Sequence, residues 1–408
     1  MSQLTSAKDY IAREDKFGAH NYHPLPVVLE KGEGIFVWDV EGKKYFDFLA
    51  AYSAVNQGHC HPKITKALTD QANTLALTSR AFYNNVLGEW EEYMTKLFGY
   101  DRMLPMNSGA EADETALKLI RKWAYKVKGI PDKKAKIVVC DGNFHGRTIT
   151  IVSMSSDPDA RGDYGPYTPG FVNIPYNDLE RLEEELKDEN VAGFLVEPIQ
   201  AEAGVYVPED GYLKKASELC KKYNVLFVAD EVQTGLGRTG KMLACDHENI
   251  RPDILVLGKA LSGGIYPVSC VLADDEVMLT IKPGEHGSTY GGNPIAAKVA
   301  MAALDVIREE KLAENATRLG EIFRNEMKAI DSDLIETVRG KGLLNAVAIK
   351  PTEGKTAWDV CLAMKENGLI AKPTHENIIR FTPPLVISED QLREAIGIIK
   401  KTFDKLGV

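Results

Sequence analysis

The sequence predicts an α/β protein built on a mainly parallel β-sheet, and two observations support this prediction. Between about residues 100 and 275, short apolar runs of strand length alternate with longer amphipathic runs of helix length, which is typical of β-α-β units. The runs VAGFLVEPI and ILVLGK are apolar at successive rather than alternate positions, as in strands that are covered on both faces. With 408 residues, the chain is too long for one compact core and long enough for about two domains.

The elements follow one another in a regular order. A helix begins near Ser108, and KIVVCDG predicts the strand after it. DLERLEEELKD then predicts a helix, VAGFLVEPI a strand, GYLKKASELCKKY a helix, and VLFVADEVQ and DILVLGKAL two further strands. A long helix begins near Pro294, and the last helix begins at Ser388, which has the spacing of a capping box with Gln391. Nearer the amino terminus, GIFVWDVEGKKYFDF predicts a hairpin that turns at Glu41-Gly42.

Composition and charge exclude several classes of protein. A net charge of −10 with no basic stripe argues against a general nucleic-acid binder. No apolar run reaches the roughly 18 residues that a membrane-spanning helix needs. The amino-terminal segment lacks an apolar signal core and contains Asp9, Glu14 and Asp15, which a transit peptide would avoid. We therefore expect a cytoplasmic protein with neither a nucleic-acid nor a membrane partner.

The cysteines and histidines do not predict a metal site. The six cysteines are scattered without a C-x-x-C pair, which predicts reduced cysteines rather than a disulfide framework. His59-Cys60-His61 resembles a ligand cluster, but adjacent residues rarely bind one ion and no second group has ligand spacing. We expect this segment to be the loop before a helix that follows Pro62.

Polar and aromatic side chains follow four of the predicted strands. The strand ends carry Glu197, Asp230 and Lys259, and KIVVCDG leads into Phe144 and His145. Taken singly, Asp230 would be a helix cap and Lys259 a lysine whose amine reaches solvent. Because the carboxyl ends of parallel strands meet at one edge of a sheet, where ligands bind in open α/β folds, the four together predict a site.

A lysine and a carboxylate on neighbouring strand ends suit pyridoxal phosphate. The lysine amine can hold the aldehyde of this cofactor, and the carboxylate can keep its pyridine nitrogen protonated. The small residues Ser108, Gly109 and Ala110 open a helix whose amino end attracts a phosphate. Phe144 can stack on the ring, and Gln233 can donate to its hydroxyl.

Two further expectations follow from this cofactor. Acidic side chains near the helix start would repel the phosphate, so Glu111, Asp113 and Glu114 should point away from it. The pair Gly263-Gly264, just after Lys259, should leave room for the cofactor and the backbone to approach each other.

Several motifs resemble the class III, fold-type I pyridoxal-phosphate aminotransferases. The segments that carry this resemblance are NSGAEADETALKLIR, FHGRT (144–148), VADEVQTGLGRTG (228–240), LGKALSGG and HGSTYGGNP. They occur in the family's order and span essentially the whole chain. The resemblance implies a large domain at residues 51–300 with a seven-stranded, mainly parallel sheet. It also implies a smaller α/β domain at residues 301–408, against which residues 1–50 pack.

The resemblance also implies roles around the cofactor. Lys259 matches the lysine that bonds to the cofactor and moves the proton, and Asp230 matches the partner of the pyridine nitrogen. The other positions in the cofactor site are Ser108, Gly109, Ala110, Phe144, His145, Gln233 and Thr289. The family contributes the threonine from a neighbouring subunit, which implies a homodimer with active sites at the interface and leaves a higher oligomer open. The role of Glu197 is left open between the cofactor site and the fold.

Within the family, the segments NYHPLP (21–26), SAVNQGHCHP (53–62), LTSRAFYNN (77–85) and GKGLLNA (340–346) resemble members that act on ornithine. The implied substrate-binding residues are Tyr22, Tyr52, Arg147, Glu202 and Arg380. Arg147 matches the group that holds the distal carboxylate, and Arg380 the group that holds the α-carboxylate of glutamate. Pairing with Glu202 would neutralise Arg380 while ornithine reacts and release it when glutamate binds.

The predicted reaction transfers the terminal amino group of L-ornithine to 2-oxoglutarate in a ping-pong sequence. Acetylornithine, 4-aminobutyrate and lysine remain alternative amino donors, and glutamate-1-semialdehyde aminomutase is a more distant alternative. The aminomutase needs no second carboxylate clamp, so the presence of both Arg147 and Arg380 argues against it. A nicotinamide dehydrogenase is suggested by GLGRTG (235–240), which has the G-x-G-x-x-G spacing. These glycines neither follow the strand directly nor open an apolar helix, which argues against that reading.

Overall fold

The computed structural model describes residues 6–350, 352 and 355–406. In chain order the strands are β1 (Leu29–Glu33), β2 (Phe36–Asp39), β3 (Lys44–Asp47), β4 (Arg102–Met106), β5 (Lys136–Cys140), β6 (Phe171–Ile174), β7 (Val191–Val196), β8 (Leu226–Asp230), β9 (Ile254–Leu257), β10 (Ser269–Ala273), β11 (Ile335–Lys341), β12 (Leu344–Ile349), β13 (Leu369–Ile370), β14 (Lys372–Thr374) and β15 (Ile378–Phe381). The helices are α1 (Ala7–Phe17), α2 (Ala50–Ser53), α3 (Pro62–Ala72), α4 (Leu87–Phe98), α5 (Gly109–Trp123), α6 (Ile149–Ser153), α7 (Pro158–Arg161), α8 (Leu179–Leu186), α9 (Tyr212–Lys222), α10 (Asp275–Met278), α11 (Pro294–Glu309), α12 (Leu312–Lys328), α13 (Ala357–Glu366) and α14 (Glu389–Leu406).

The largest sheet has seven strands in the order β4-β10-β9-β8-β7-β5-β6. The strands from β9 to β6 pair in parallel, and only β10 runs antiparallel to its neighbours β9 and β4. The predicted α/β class and the mainly parallel sheet are therefore confirmed. The sequence pattern did not indicate the edge strand β6, which is short and only partly buried, so its apolar signal is weak.

Helices cover the central sheet on both faces, as the continuous apolar strands predict. All six residues of β7 are buried. On one face α5 packs Ala112, Ala116 and Ile120 against the strands. On the other face α8 and α9 contribute an apolar cluster that includes Leu182 and Leu213. Burial on both sides leaves the strand ends as the places where polar side chains meet solvent or a ligand.

Two four-stranded sheets complete the fold, with the orders β1-β2-β3-β13 and β11-β12-β15-β14. The predicted hairpin at Glu41-Gly42 is present as the antiparallel pair β2-β3. Strand β3 also pairs in parallel with β13, so the amino-terminal strands join a segment close to the carboxyl terminus. At the start of α14, the Ser388 amide donates to Gln391 Oε1 at 2.9 Å and the Gln391 amide donates to Ser388 Oγ at 3.2 Å, which confirms the capping box.

Within the described parts of the chain, no helix combines the length and the apolarity that crossing a bilayer would require.

Candidate active site

A cavity of about 160 Å³ lies at the carboxyl ends of β5, β7, β8 and β9. It is lined by Gly109, Ala110, Asp113, Phe144, His145, Gly146, Glu197, Asp230, Val232, Gln233, Thr234 and Lys259. The fold therefore brings most of the predicted cofactor residues into one space.

Lys259 enters the cavity at a sharp change in backbone direction. It follows Gly258 at the end of β9 and begins a 3-10 turn with a φ of 45°, a value that side chains other than glycine rarely adopt. Burial lowers the pKa of the Lys259 amine, outweighing the opposite effect of the Asp230 charge. A lowered pKa favours the neutral amine that a nucleophile needs.

The interpretation of Gly263-Gly264 as room for a cofactor is wrong. Both glycines have positive φ, 62° and 79°. A Cβ on Gly263 would lie 2.6 Å from Ile64 Cδ1, and a Cβ on Gly264 would lie 2.7 Å from Val55 Cγ2. The two glycines therefore let the turn after Lys259 pack against residues 54–64, away from the cavity.

Asp230 is held by two contacts on different oxygens. Its Oδ1 accepts from the Val232 amide at 2.9 Å, and its Oδ2 lies 2.7 Å from His145 Nδ1. Burial alone would lower the pKa of His145, but the hydrogen bond to Asp230 and its charge raise it above its ordinary value. His145 is thus a donor that orients the Asp230 carboxylate and balances its charge.

Asp113 also belongs to the cavity, beside Asp230 and not at the start of the helix where the phosphate is predicted. Asp113 is buried, lines the cavity, and places a carboxylate oxygen within 4.8 Å of donor atoms of His145 and Asp230. Burial, together with the charges of Asp230 and Glu197, raises its pKa well above the ordinary value. The raised pKa favours the protonated form of this carboxyl group, which lies in the cavity beside Asp230. Its position four residues after Gly109, on the same helix face, was a signal that could have indicated this.

The other two acids at this helix start behave differently from each other. Glu111 turns back toward the helix start and accepts from the Ser108 amide at 2.8 Å and from the Ser108 hydroxyl at 3.0 Å, contrary to the expectation that it points away. Glu114 accepts from the Thr148 hydroxyl instead. The Gly109 and Ala110 amides have no hydrogen-bond partner among the described residues, so they are the donors left for an anion.

Glu197 connects two strand ends. Its Oε1 accepts from the Phe144 amide at 2.8 Å, so it fixes the loop that carries the predicted stacking ring. Burial raises the pKa of Glu197 to about 7, although the positive charge of His145 opposes this. This contact favours a positioning role for Glu197.

Arg380 and Glu202 form a two-point ion pair next to the cavity. Arg380 Nη1 lies 2.6 Å from Glu202 Oε2, and Nη2 lies 3.2 Å from Oε1. The Arg380 side chain is 3% exposed and that of Glu202 31% exposed. Arg380 Nη1 also donates to Gln233 Oε1 at 3.4 Å, so Gln233 contacts the arginine as well as lining the cavity. The pair is the arrangement expected for an arginine whose charge is masked until a carboxylate displaces Glu202.

Tyr52 faces this ion pair from an unusual turn. Residues Ala50 to Ser53 form a left-handed turn in which all four have positive φ, from 46° to 70°. Asp47 Oδ1 accepts from the amides of Leu49 and Ala50, both at 2.9 Å, and so holds the start of the turn. The turn places the Tyr52 ring 5.0 Å from Arg380 Cζ. Such conformations cost roughly 1–3 kcal/mol each and are concentrated at functional sites.

Seven predicted site residues do not line the cavity, namely Ser108, Tyr22, Tyr52, Arg147, Glu202, Thr289 and Arg380. Tyr22 is 71% exposed, with Lys372 Nζ 5.8 Å from its ring centroid. Arg147 is exposed, and its Cζ lies 5.4 Å from the Phe144 ring. Thr289 is exposed in the loop before α11 and does not line this chain's cavity. Sequence reasoning did not identify Val232 and Thr234, which line the cavity just after Asp230.

Comparisons with known proteins identify the family of the chain. The profile of the family described as "Aminotransferase class-III" matches residues 17–403. The chain belongs to the class-III aminotransferases. A relative from Drosophila melanogaster named "Ornithine aminotransferase, mitochondrial" is 66% identical over 96% of this chain and 90% of its own length.

Two solved structures of class-III aminotransferases extend the comparison. The ornithine aminotransferase of Toxoplasma gondii superposes with a TM-score of 0.97 at 50% identity, covering 99% of this chain and 96% of its own. An acetylornithine aminotransferase of Elizabethkingia anophelis superposes with a TM-score of 0.91 at 60% identity, and the match covers 98% of this chain and 100% of the other. The predicted family is confirmed, and the two names show why the amino donor needs an experiment.

The cavity fits pyridoxal phosphate. Within the described residues, Asp113 Oδ1, His145 Nε2 and Arg380 Nε are buried without a hydrogen-bond partner. Asp230 is available for a protonated ring nitrogen, the Gly109 and Ala110 amides for a phosphate, and a buried lysine for an aldehyde. The donor set therefore matches the cofactor that the sequence predicted.

Proposed function

We propose that the chain is an ornithine δ-aminotransferase. It transfers the terminal amino group of L-ornithine to 2-oxoglutarate in two half-reactions and forms glutamate 5-semialdehyde, which cyclises to pyrroline-5-carboxylate, and glutamate. The observation that carries the proposal is the Arg380–Glu202 pair at the cavity that holds Lys259.

Pyridoxal phosphate supplies an aldehyde that takes up the amino group and a ring that accepts electrons from the substrate carbon. Lys259 would hold the cofactor and then move the proton, because burial favours the neutral form of its amine. Asp230 would stabilise a protonated pyridine nitrogen, and His145 keeps that carboxylate oriented. Phe144, on a loop that Glu197 fixes, would pack against the ring. Ser108, Gly109 and Ala110 would hold the phosphate at the start of α5.

The ion pair separates the two substrates. While ornithine reacts at its terminal amine, Glu202 neutralises Arg380, so the arginine does not attract the α-carboxylate of ornithine. When glutamate binds, its α-carboxylate replaces Glu202 on Arg380 and Arg147 holds the distal carboxylate. In the ornithine half-reaction, Tyr22 and Tyr52 bind the α-amino and α-carboxylate groups of ornithine at the outer end of the pocket.

The second candidate is an acetylornithine aminotransferase, which the Elizabethkingia anophelis structure favours. The two substrates differ at the α-nitrogen, which carries a positive charge in ornithine and is neutral after acetylation. Half-reaction absorbance spectra with ornithine, acetylornithine, lysine and 4-aminobutyrate decide between the donors. The proposal expects the highest kcat/KM for ornithine and would be overturned by a higher value for acetylornithine.

A homodimer with shared active sites is part of the proposal. Thr289 is exposed and outside its own cavity, as a residue that serves a partner's phosphate site would be. Large apolar side chains are also exposed near this part of the sequence and near the motif at 77–85, namely Leu75, Phe82, Tyr83 and Tyr290.

Mixing two inactive variants tests this arrangement. In a hybrid dimer of Lys259→Ala and Thr289→Ala chains, one site has both an intact lysine and an intact partner threonine. When subunits exchange at random in an equal mixture, about half of the dimers are hybrids with one intact site each, so about a quarter of all sites should be active. If each chain's Thr289 served its own site, mixing would restore no activity.

The domain division and the location also stand as proposals. The pairing of β3 with β13 supports packing of residues 1–50 against the carboxyl-terminal domain, 301–408, with 51–300 as the large domain.

A cytoplasmic location is supported by six cysteines that form no disulfide in the described chain. Because the Drosophila relative is named mitochondrial, cell fractionation has to test the location.

A further inference from the structure

Arg238 is a fully buried cation that the proposed reaction does not use. It lies in GLGRTG, the loop 235–240 after β8, and its exposed fraction is 0%. No carboxylate forms an ion pair with it in the described residues, and its Nε has no hydrogen-bond partner there. Burial lowers the pKa of its guanidinium to about 9. The charge of Asp47 offsets the effect of burial only in part, and burying a charge without a close ion-pair partner is costly for the fold.

The guanidinium joins three segments that are far apart in the sequence. Nη1 donates to the carbonyl oxygens of Leu343 at 3.0 Å and Pro383 at 2.7 Å. Nη2 donates to Asn56 Oδ1 at 2.5 Å. Asn56 in turn donates to Leu236 O at 3.0 Å and accepts from the Leu385 amide at 2.7 Å. Loop 235–240 is thereby tied to residue 56, to the turn before β12, and to the segment that follows β15.

One of these segments carries the proposed carboxylate-binding arginine. Pro383 is three residues after Arg380 in the extended chain at the end of β15. Between them, the Thr382 amide donates to Phe48 O at 2.8 Å. The Arg380 backbone pairs with Ala346 on β12 and with Lys372 on β14. The chain after it is held at Thr382 and Pro383, and the contact at Pro383 is with Arg238.

We propose that Arg238 is a positioning residue that fixes the end of β15 against loop 235–240 and so aims Arg380 at the α-carboxylate of glutamate. The inference rests on the proposed function for its substrate. Lysine cannot replace this group, because one ammonium cannot reach acceptors on three segments in the fixed directions of a planar guanidinium. In the ornithine half-reaction Arg380 stays paired with Glu202, so a small displacement matters less there.

The test uses Arg238→Lys with Arg324→Lys as the matched control. Arg324, on α12, donates to the Gly342 carbonyl at 2.8 Å and to Asn345 Oδ1 at 2.9 Å, so it holds the same turn before β12 without contacting loop 235–240. Two readouts are measured on the cofactor-loaded protein. The first is KM in each separate half-reaction, and the second is the dissociation constant of glutarate, a dicarboxylate that has no amine and cannot react.

We expect Arg238→Lys to raise the KM for glutamate and the dissociation constant of glutarate by about tenfold, with less than about a threefold change in the KM for ornithine. Arg324→Lys should leave the ratio of the two KM values unchanged. Equal effects on both half-reactions, or the same shift in the control, would overturn the proposal.

A milder variant keeps the test decisive if Arg238→Lys does not fold. Asn56→Ala removes one of the three acceptors and should shift the same ratio in the same direction by a smaller factor. An unchanged ratio in that variant would overturn the positioning role. Failure of the proposed function is separate, because it would show as absent ornithine turnover in the unmodified protein, while glutarate binding would still report on Arg238.

Discussion

Replacing Glu202 with Gln removes the charge that neutralises Arg380 and keeps the size of the side chain. In the structure the two groups make contacts of 2.6 and 3.2 Å, and the Arg380 side chain is 3% exposed. Glutamate must displace Glu202 from Arg380 before its α-carboxylate can bind. In Glu202→Gln that displacement costs less, whereas ornithine must now react beside an unmasked guanidinium.

The size of the effect follows from the geometry. A hydrogen bond to a charged group contributes about 1.5–3 kcal/mol. Because Glu202 is 31% exposed, solvent screens the pair, and the lower end of this range, about 1.5 kcal/mol, is the better value. That free energy corresponds to about a tenfold change in kcat/KM. We therefore expect kcat/KM for glutamate to rise by about tenfold and kcat/KM for ornithine to fall, so that their ratio rises by at least about tenfold.

Rapid-mixing absorbance measurements of each half-reaction give the two kcat/KM values separately. Glu218→Gln, at an exposed glutamate on α9, is the matched control and should leave both values unchanged. If Glu202→Gln lowered both half-reactions by the same factor, or left the ratio as it is in the unmodified protein, Arg380 and Glu202 would not act as a switch.

Three further predictions concern other parts of the site. Lys259→Ala should abolish turnover while the cofactor still binds, now removable by dialysis because the covalent link is lost; retained turnover would refute the role of Lys259. Tyr22→Phe should raise the KM for ornithine but not for 4-aminobutyrate, which has no α-amino group, and steady-state kinetics with both donors measures this. In the cofactor-free protein, burial raises the pKa of Glu197 from 4.5 to about 7. At a pH between these two values, the Glu197 carboxyl group is protonated in the folded chain and ionised in the unfolded chain. The free energy of unfolding should therefore fall by about 3 kcal/mol as the pH rises through this window. Urea titrations at about pH 5 and about pH 8 should show a smaller fall in Glu197→Gln, and an equal fall would contradict the assignment.

The sequence was most informative where periodicity and position decide the structure. Continuous apolar runs predicted the strands of the central sheet, and the residues at their ends, Glu197, Asp230 and Lys259, do meet at one cavity. This follows because parallel strands place their carboxyl ends at a common edge, whatever the details of packing.

The sequence was less informative where a side chain chooses between two nearby partners. Asp113 was expected to point away from the phosphate, but nothing in the sequence indicated that it would be buried in the cavity beside Asp230. Gly263 and Gly264 were assigned to the cofactor, although they relieve contacts with Ile64 and Val55 on a distant segment. Such contacts depend on how segments pack in three dimensions, which local patterns do not contain.

The left-handed turn before Tyr52 belongs to the same group. No glycine occurs in Ala50 to Ser53, so nothing in the sequence indicated four successive positive φ values. The turn is held by Asp47 and by the surrounding core, and tertiary contacts here override the local preference of the backbone.

The central claim is that the terminal amino group of ornithine, and not its α-amino group, is transferred at Lys259. The most direct test uses two reactions with 2-oxoglutarate, one with ornithine that carries ¹⁵N only at the δ-position and one with ornithine that carries it only at the α-position. In each reaction the ¹⁵N content of the glutamate formed is measured. The account predicts labelled glutamate from the δ-labelled donor and unlabelled glutamate from the α-labelled donor. Label transferred from the α-position, or no transfer from ornithine at all, would contradict it.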